Sequence, residues 1–575
     1  MRSLRSAPAR RAAAALACAL ATASLPPAPV VAADAIAVLA IDPYADIKSQ
    51  LTWVGEQVGN PTLAGFAESF ILLGTQGKGL AGLDVKRPTG VVVMSEGGPL
   101  PTAHAFVPVK DLDKLLGALQ GMTGPVEEAD GVRRISPPGA PPLSIAEQDG
   151  WAILSQPGTP AELATAVKLI EPLAQDYSLA VEFFPSKMPA AMRDRLKAML
   201  DEAARNAAAQ GQPMDDTALR AGIENLEDVE RLTFGLAVDP AAKNVHLDIT
   251  SVLEAGSPAA ESFAYAGKAT STILSPATAD GKQAAVRGHY AVEVPAAGQA
   301  AVRAGLDQAL EQADDDPATR VVASLLRDLV AAMLDTGAID AGFTVDTAAA
   351  DESSPLPAVT IGMQVKDGAA LQARIKERLG KPGALPPQVK AAFDTGTAGA
   401  ATLHEITIDV SGTPAAERLG DTVKLTLAVT PDHAFVLTGG DVPKRLAAAV
   451  ANGGKPVAGA APIAGVDASL AALVGYAARM MKAFQPDDPQ GEALGEVAKQ
   501  AAEKDSTQVQ FSVKPIDRGA TVRLLIDEGA LQTVAASTSI TSARVASPPR
   551  SVPAVPLRPA QPRVIEKDNA PAIAP

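Results

Sequence analysis

The sequence predicts an α+β protein made by internal tandem duplication, each copy a mainly antiparallel sheet with helices packed on one face. Three observations carry this. Gln148–Val167 returns as Pro431–Val450, 283 residues later, with Asp149, Leu154, Ser155, Pro160, Leu163, Ala164 and Val167 meeting Asp432, Leu437, Thr438, Pro443, Leu446, Ala447 and Val450. Val109-Lys110-Asp111 and Val365-Lys366-Asp367 each close an apolar alternation and precede a helical pattern. Leu232, Phe234, Leu236 and Val238 alternate, DPAAKN turns the chain, and Val245, Leu247 and Ile249 alternate again; Val509, Phe511 and Val513, then IDRG, then Val522, Leu524 and Ile526 do the same at a gapless offset of 277. Period two on both sides of a short turn is a hairpin with one buried face.

In chain order, each copy begins with a strand, Ile36–Ile41 or Tyr290–Val294, followed by two helical patterns; the second of these is Pro61–Leu73 or Pro317–Leu334. Two strands, a helix, three strands, a helix, a strand, further helices and the closing hairpin complete it. Asp111 and Asp367 stand at N-cap positions, where a carboxylate accepts from free amides of the first turn. Asp314-Asp315-Asp316 before Pro317 reads the same way, with proline at the first helical position. The copies differ most at the charged helical stretch Ser186–Arg231, which shortens to Ala477–Lys504. The expected layout is a signal peptide over 1–33, copy one over 34–265, a linker over 266–280, copy two over 281–537 and a Pro-rich tail over 538–575. The tail lacks an apolar period and is expected to be extended and disordered. Two domains packed as a pseudo-two-fold pair would leave a cleft between them.

Arg2, Arg5, Arg10 and Arg11, the short apolar run Ala12–Leu25 and the small residues Val31-Ala32-Ala33 form a secretory signal, which makes the protein periplasmic or secreted. Cys18 is the one cysteine and falls inside that signal, so the mature chain has no disulfide, thiol nucleophile or thiolate metal site. The net charge of −15 becomes −19 without the four signal arginines; the tail carries +3, which leaves −22 on the body. An acidic surface argues against nucleic acid and anionic membranes as partners.

Chemistry-bearing patterns are sparse. Gly77-Lys78-Gly79-Leu80-Ala81-Gly82 spells a dinucleotide fingerprint, but a helical pattern precedes it and a strand follows, the reverse of what phosphate binding needs. His104, His246, His289, His404 and His433 show no ligand spacing, and His404-Glu405 lacks the second histidine of a zincin. Ser95 lacks the first glycine of a nucleophile elbow. The two Lys-Asp pairs read as strand ends followed by caps, and Trp151, opposite Ala434 at the 283 offset, reads as a core or rim residue. No catalytic, cofactor-binding or metal residue is assigned.

The string PTGVVV…AFVPVKDLDKLLGAL…DGWAILSQ, within Thr89–Gln156, resembles an uncharacterised family of exported bacterial proteins with a signal peptide and no assigned activity. The resemblance implies an exported α+β protein and contributes no site residue. The expected function is therefore a non-catalytic binding or structural protein of the periplasm or cell envelope. The alternatives are a carrier of an apolar ligand, with a cavity lined by residues such as Phe66, Phe70, Leu329 and Met333, or an exported hydrolase with a site around His104 or His433.

Overall fold

A computed structural model describes residues 34–546 except 96–100, 130–131, 138, 140, 158–162, 210–225, 267–270, 272, 274–283, 313–316, 349–355, 413–415, 417–419, 453–461 and 486–487. The signal over 1–33, the Asp314–Asp316 cap and most of the expected linker and tail lie outside the described residues.

The first half contains β1 (Asp34–Ile41), α1 (Tyr44–Gln57), α2 (Leu63–Gly74), β2 (Thr89–Ser95), β3 (Thr102–Pro108) and α3 (Leu112–Thr123). There follow β4 (Val126–Ala129), β5 (Val132–Ile135), β6 (Leu143–Gln148), β7 (Trp151–Ser155), α4 (Leu163–Asp176), β8 (Leu179–Phe183), α5 (Ala190–Ala209), β9 (Val229–Asp239), β10 (Asn244–Leu253) and α6 (Pro258–Ala266). The second half contains β11 (Val286–Glu293), α7 (Ala296–Gln312), α8 (Pro317–Leu334), β12 (Ala338–Asp346), β13 (Ala358–Gln364), α9 (Gly368–Leu379), β14 (Val389–Ala398), β15 (Ala401–Asp409), β16 (Thr422–Val429) and β17 (His433–Thr438). It closes with α10 (Val442–Asn452), β18 (Ala464–Ser469), α11 (Leu470–Phe484), α12 (Pro489–Ala502), β19 (Gln508–Ile516), β20 (Gly519–Asp527) and α13 (Glu528–Ala546).

Among the described residues, all twenty strands join one antiparallel sheet. From one edge the order is β4-β5-β6-β7-β3-β2-β1-β8-β9-β10. A seam between β10 and β20 continues it as β20-β19-β18-β11-β12-β13-β17-β16-β15-β14. Each strand of the first half has a counterpart ten numbers on at the same distance from the seam. The two outer edges are blunted: β4 is four residues long and carries Glu127 and Glu128, while β14 is broken by a bulge at Asp394, whose φ is +53°. Such devices discourage edge pairing with other chains.

Local sequence explains the elements. Asp111 caps α3 by accepting from the Lys114 amide at 3.0 Å, and Asp367 caps α9 by accepting from the Ala370 amide at 2.9 Å. Leu112, Leu115 and Leu116 of α3 then pack with Ile135, Ile145 and Ala152; Leu371, Ile375 and Leu379 of α9 pack with Met363, Leu427 and Val429. Gly368 lets α9 approach β16, because a Cβ there would sit 1.9 Å from the Thr430 carbonyl oxygen.

Several expectations need correction. The halves do not form separate sheets with a cleft between them; the sheet runs through. Four described strands, not three, separate the paired helices in each half; in the first half the four-residue strands β4 and β5 read as a single segment. Helices cover both faces: Val107 and Ala152 touch α3, while their neighbours Phe106, Trp151 and Ile153 pack with Leu163 and Ile170 of α4 on the opposite face. The 283 offset fails within the sheet. Pro108 pairs with Trp151 and Gln364 with His433, so His433, not Ala434, stands where Trp151 does; one residue of slack between strand and helix restores 283 at Leu163 and Leu446. The gapless 277 offset also spans a change of turn. Asp239 pairs with Asn244 across four residues, whereas Ile516 pairs with Gly519 across Asp517-Arg518. Losing two residues leaves every side chain on its face. Finally, α13 runs to Ala546, past the expected tail start at 538, because no proline interrupts it before Pro548.

Candidate functional site

The seam is where the halves meet and where the sequence reading of burial fails. Residues 245–252 of β10 pair with 519–526 of β20, and paired residues share a face.

One face is polar and holds a buried carboxylate. Asp248, 2% exposed, receives two hydrogen bonds from Arg523, Nε to Oδ1 at 2.7 Å and the terminal nitrogen to Oδ2 at 2.6 Å. The Tyr177 hydroxyl donates to Oδ2 of the same carboxylate at 3.1 Å. Burial opposes the charge on Asp248, but the Arg523 hydrogen bonds and charge outweigh it and hold its pKa below the usual carboxylate value. Burial and then the Asp248 charge push the Tyr177 phenol up to about 12. Thr250 and Thr521 share a 2.9 Å hydrogen bond across the seam, and Thr233 donates to buried Glu182 at 2.8 Å. Tyr177, just past the end of α4, lies flat on this face, and Gly235 permits it: a Cβ would fall 2.3 Å from the ring.

The other face is apolar and open. A row of paired side chains runs Ile41, Leu179, Leu236, Leu247, Leu524, Phe511, Val466 across seven strands. Beside it run Leu39, Val181, Phe234, Ile249, Val522, Val513, Ala464, Tyr290 and, shorter, Val238, Val245, Ile526, Val509, Ala468, Val286. Leu179, Phe234, Leu236, Leu247, Phe511 and Leu524 are each 37–41% exposed. The hairpins predicted from alternation are present, but their apolar side is the open one. The physical reason is the thin, small-residue opposite side (Thr233, Gly235, Ala237), which alone admits Tyr177 and α4.

The ends of the seam are fastened symmetrically. The Glu528 amide donates to the Lys243 carbonyl at 2.9 Å, and the Leu253 amide donates to the Arg518 carbonyl at 2.7 Å. Lys243 and Arg518 both turn their hairpins with φ of +56°. The second partners lie 275 residues beyond the first (243 to 518, 253 to 528), and so does Arg523 beyond Asp248.

The other sequence candidates disperse. The glycines at 77, 79 and 82 form the loop after α2, and Gly82 sits where a Cβ would touch the Asp111 carbonyl, so the loop packs on the α3 cap. The histidines occupy β3, β10, β11, β15 and β17, no two of them neighbouring strands. Among the described residues no three His, Cys, Asp or Glu side chains are placed to hold a metal ion. Ser95 ends β2, paired with Asp34. Trp151 is buried under the Arg87 guanidinium, 4.4 Å from its ring centre. Phe66 and Phe70 stack edge-on at 4.8 Å on the exposed side of α2, whereas Leu329 and Met333 belong to the core under α8 and α9, so the four do not share a cavity. A surface cleft of about 720 Å³ borders Lys366 and Asp367, but Asp367 is engaged as a cap and Asp335 pairs with Arg303. Buried Arg445 is engaged by the carbonyls of Val359, Thr438 and Gly439 and the Thr360 hydroxyl.

No family model, curated protein or solved structure matches this chain. Among the described residues no helix is long and apolar enough to cross a membrane.

Proposed function

We propose that this is an exported, non-catalytic binding protein of the periplasm or cell envelope, built by internal duplication, with the open face of the seam as its binding surface. The observation that carries the reading is the set of apolar rows across β8, β9, β10, β20 and β19. Large contiguous apolar patches on soluble proteins mark interaction sites, because bare hydrocarbon in water is costly unless a partner covers it. The export signal supplies the compartment. The copies run over 34–265 and 281–537, with the linker 266–280 partly packed: Ser271 and Ile273 are buried, and Ser271 donates to Asp340 of the second half at 2.7 Å.

Matching strand order and the 275-residue relation across the seam support duplication. The 275-residue relation puts the Asp248–Arg523 pair where a two-fold axis relating the halves would pass. On such an axis a residue faces its own counterpart. Two identical chains would set Asp against Asp or Arg against Arg there; one fused chain carries opposite charges. The carrier reading is favoured by the same open face, not by the cavity around Phe66. The test is a photo-crosslinking residue at Leu247, with Phe66 as control, in cells that export the protein. The expected outcome is adduct formation at 247 and not at 66; adducts equal at both, or absent, would overturn the seam as the surface.

A further inference from the structure

We infer that the open seam face receives the acyl chains of a lipid without net charge, laid across the strands along the row from Leu179 to Phe511. The inference rests on the seam being the binding surface and adds the class of ligand. Three features of the face select it.

The first is its chemistry. The three rows are built of Leu, Ile, Val, Phe and Ala, with the Tyr290 hydroxyl at one end as their polar group. The backbone beneath is used up in the antiparallel ladders, so no strand edge is offered here to an added strand. Protein interfaces carry roughly one hydrogen bond per 100–200 Å². These rows supply almost none, so a polypeptide docked along them would bury polar groups unpaired. A hydrocarbon chain brings no such groups. The second feature is shape. Leu179, Leu236, Leu247, Leu524 and Phe511 stand in register on five adjacent strands, a straight track of about 19 Å at the usual strand spacing. That matches an extended long acyl chain, and the flanking rows give it walls; Phe183 and Phe234, 6.3 Å apart edge-on, form one of them. The third is charge. A body of −22 repels an anionic headgroup and leaves a zwitterionic one indifferent.

The test is titration of the full exported chain with phosphatidylethanolamine bearing a pyrene-labelled acyl chain. The variants are L247Q/L524Q and, as control, F66Q/F70Q, each checked for an unchanged melting transition. The expected result is saturable uptake, weakened at least about tenfold in L247Q/L524Q and unchanged in F66Q/F70Q. No uptake, or equal uptake by the seam variant, overturns the inference. Palmitate displacing the probe more tightly than the unlabelled phospholipid would also overturn it, by replacing the neutral lipid with a free fatty acid. If lipid is not taken up while a crosslinker at Leu247 still captures a protein, the lipid falls and the binding surface stands; if neither occurs, both fall.

Discussion

The two faces of the seam use the same strands to opposite ends. On one side Asp248 and Thr233 are buried and Arg523 and Tyr177 half-buried; on the other Leu236, Leu247 and Leu524 meet solvent. Folding alone would put the leucines inside. What prevents it is the close approach of Tyr177 over Gly235 and the Asp248–Arg523 ion pair, which give the polar face small and mutually satisfied groups. The contrast teaches that the polar face supplies the specific hydrogen bonds of this junction, while the apolar face leaves hydrocarbon in water.

The largest effect should come from removing the partner of the buried Asp248. Arg523→Ala leaves the buried Asp248 carboxylate without its cation and, with Arg523 itself half-buried, should cost about 2–3 kcal/mol by urea denaturation. A loss below about 1 kcal/mol for Arg523→Ala would mean the pair is solvated. Next, Gly235→Ala drives a methyl into the Tyr177 ring and should cost about 1–3 kcal/mol. Asp111→Ala and Asp367→Ala should each cost about 1 kcal/mol and add independently, being caps in distant cores. Smallest is the open face: Leu247→Gln should move stability by less than about 0.5 kcal/mol while abolishing capture at the seam.

Acid separates the faces in another way. His246, His289 and His404 all have lowered pKa values, burial being the main cause, with Arg523, Arg287 and Lys376 adding repulsion and Asp248, Asp467 and Asp394 opposing it. The unfolded chain takes up these protons near the ordinary histidine value of about 6.5. Stability should therefore be full above about pH 6.5 and fall as pH drops through the lowered folded values. Asp248 adds a second loss on further acidification, from about pH 4 down through its own lowered pKa. Melting curves across pH 4–8 should show this fall in the wild type and equally in L247Q/L524Q.

Much of the fold was legible. Period-two runs located β9, β10, β19 and β20, and the Val-Lys-Asp repeats located two helix starts to the residue. The side that packs was not legible, since alternation gives two faces and does not say which a helix will cover. The seam was hidden because its partners lie some 270 residues apart in the chain, as Thr250 and Thr521 do. Asp248 in HLDIT looks like a solvent-side residue; only Arg523 from the other half makes it a buried one. The apolar composition of the helices does not distinguish Phe66 and Phe70, on the exposed side of α2, from Leu329 and Met333, which serve a separate core.

Native mass spectrometry of the protein recovered from its own envelope without refolding tests the binding surface most directly, with L247Q/L524Q in parallel. The account predicts a discrete extra mass on the wild type, released by denaturation and missing from the variant. A bare wild-type mass, or the same extra mass on both, would contradict it.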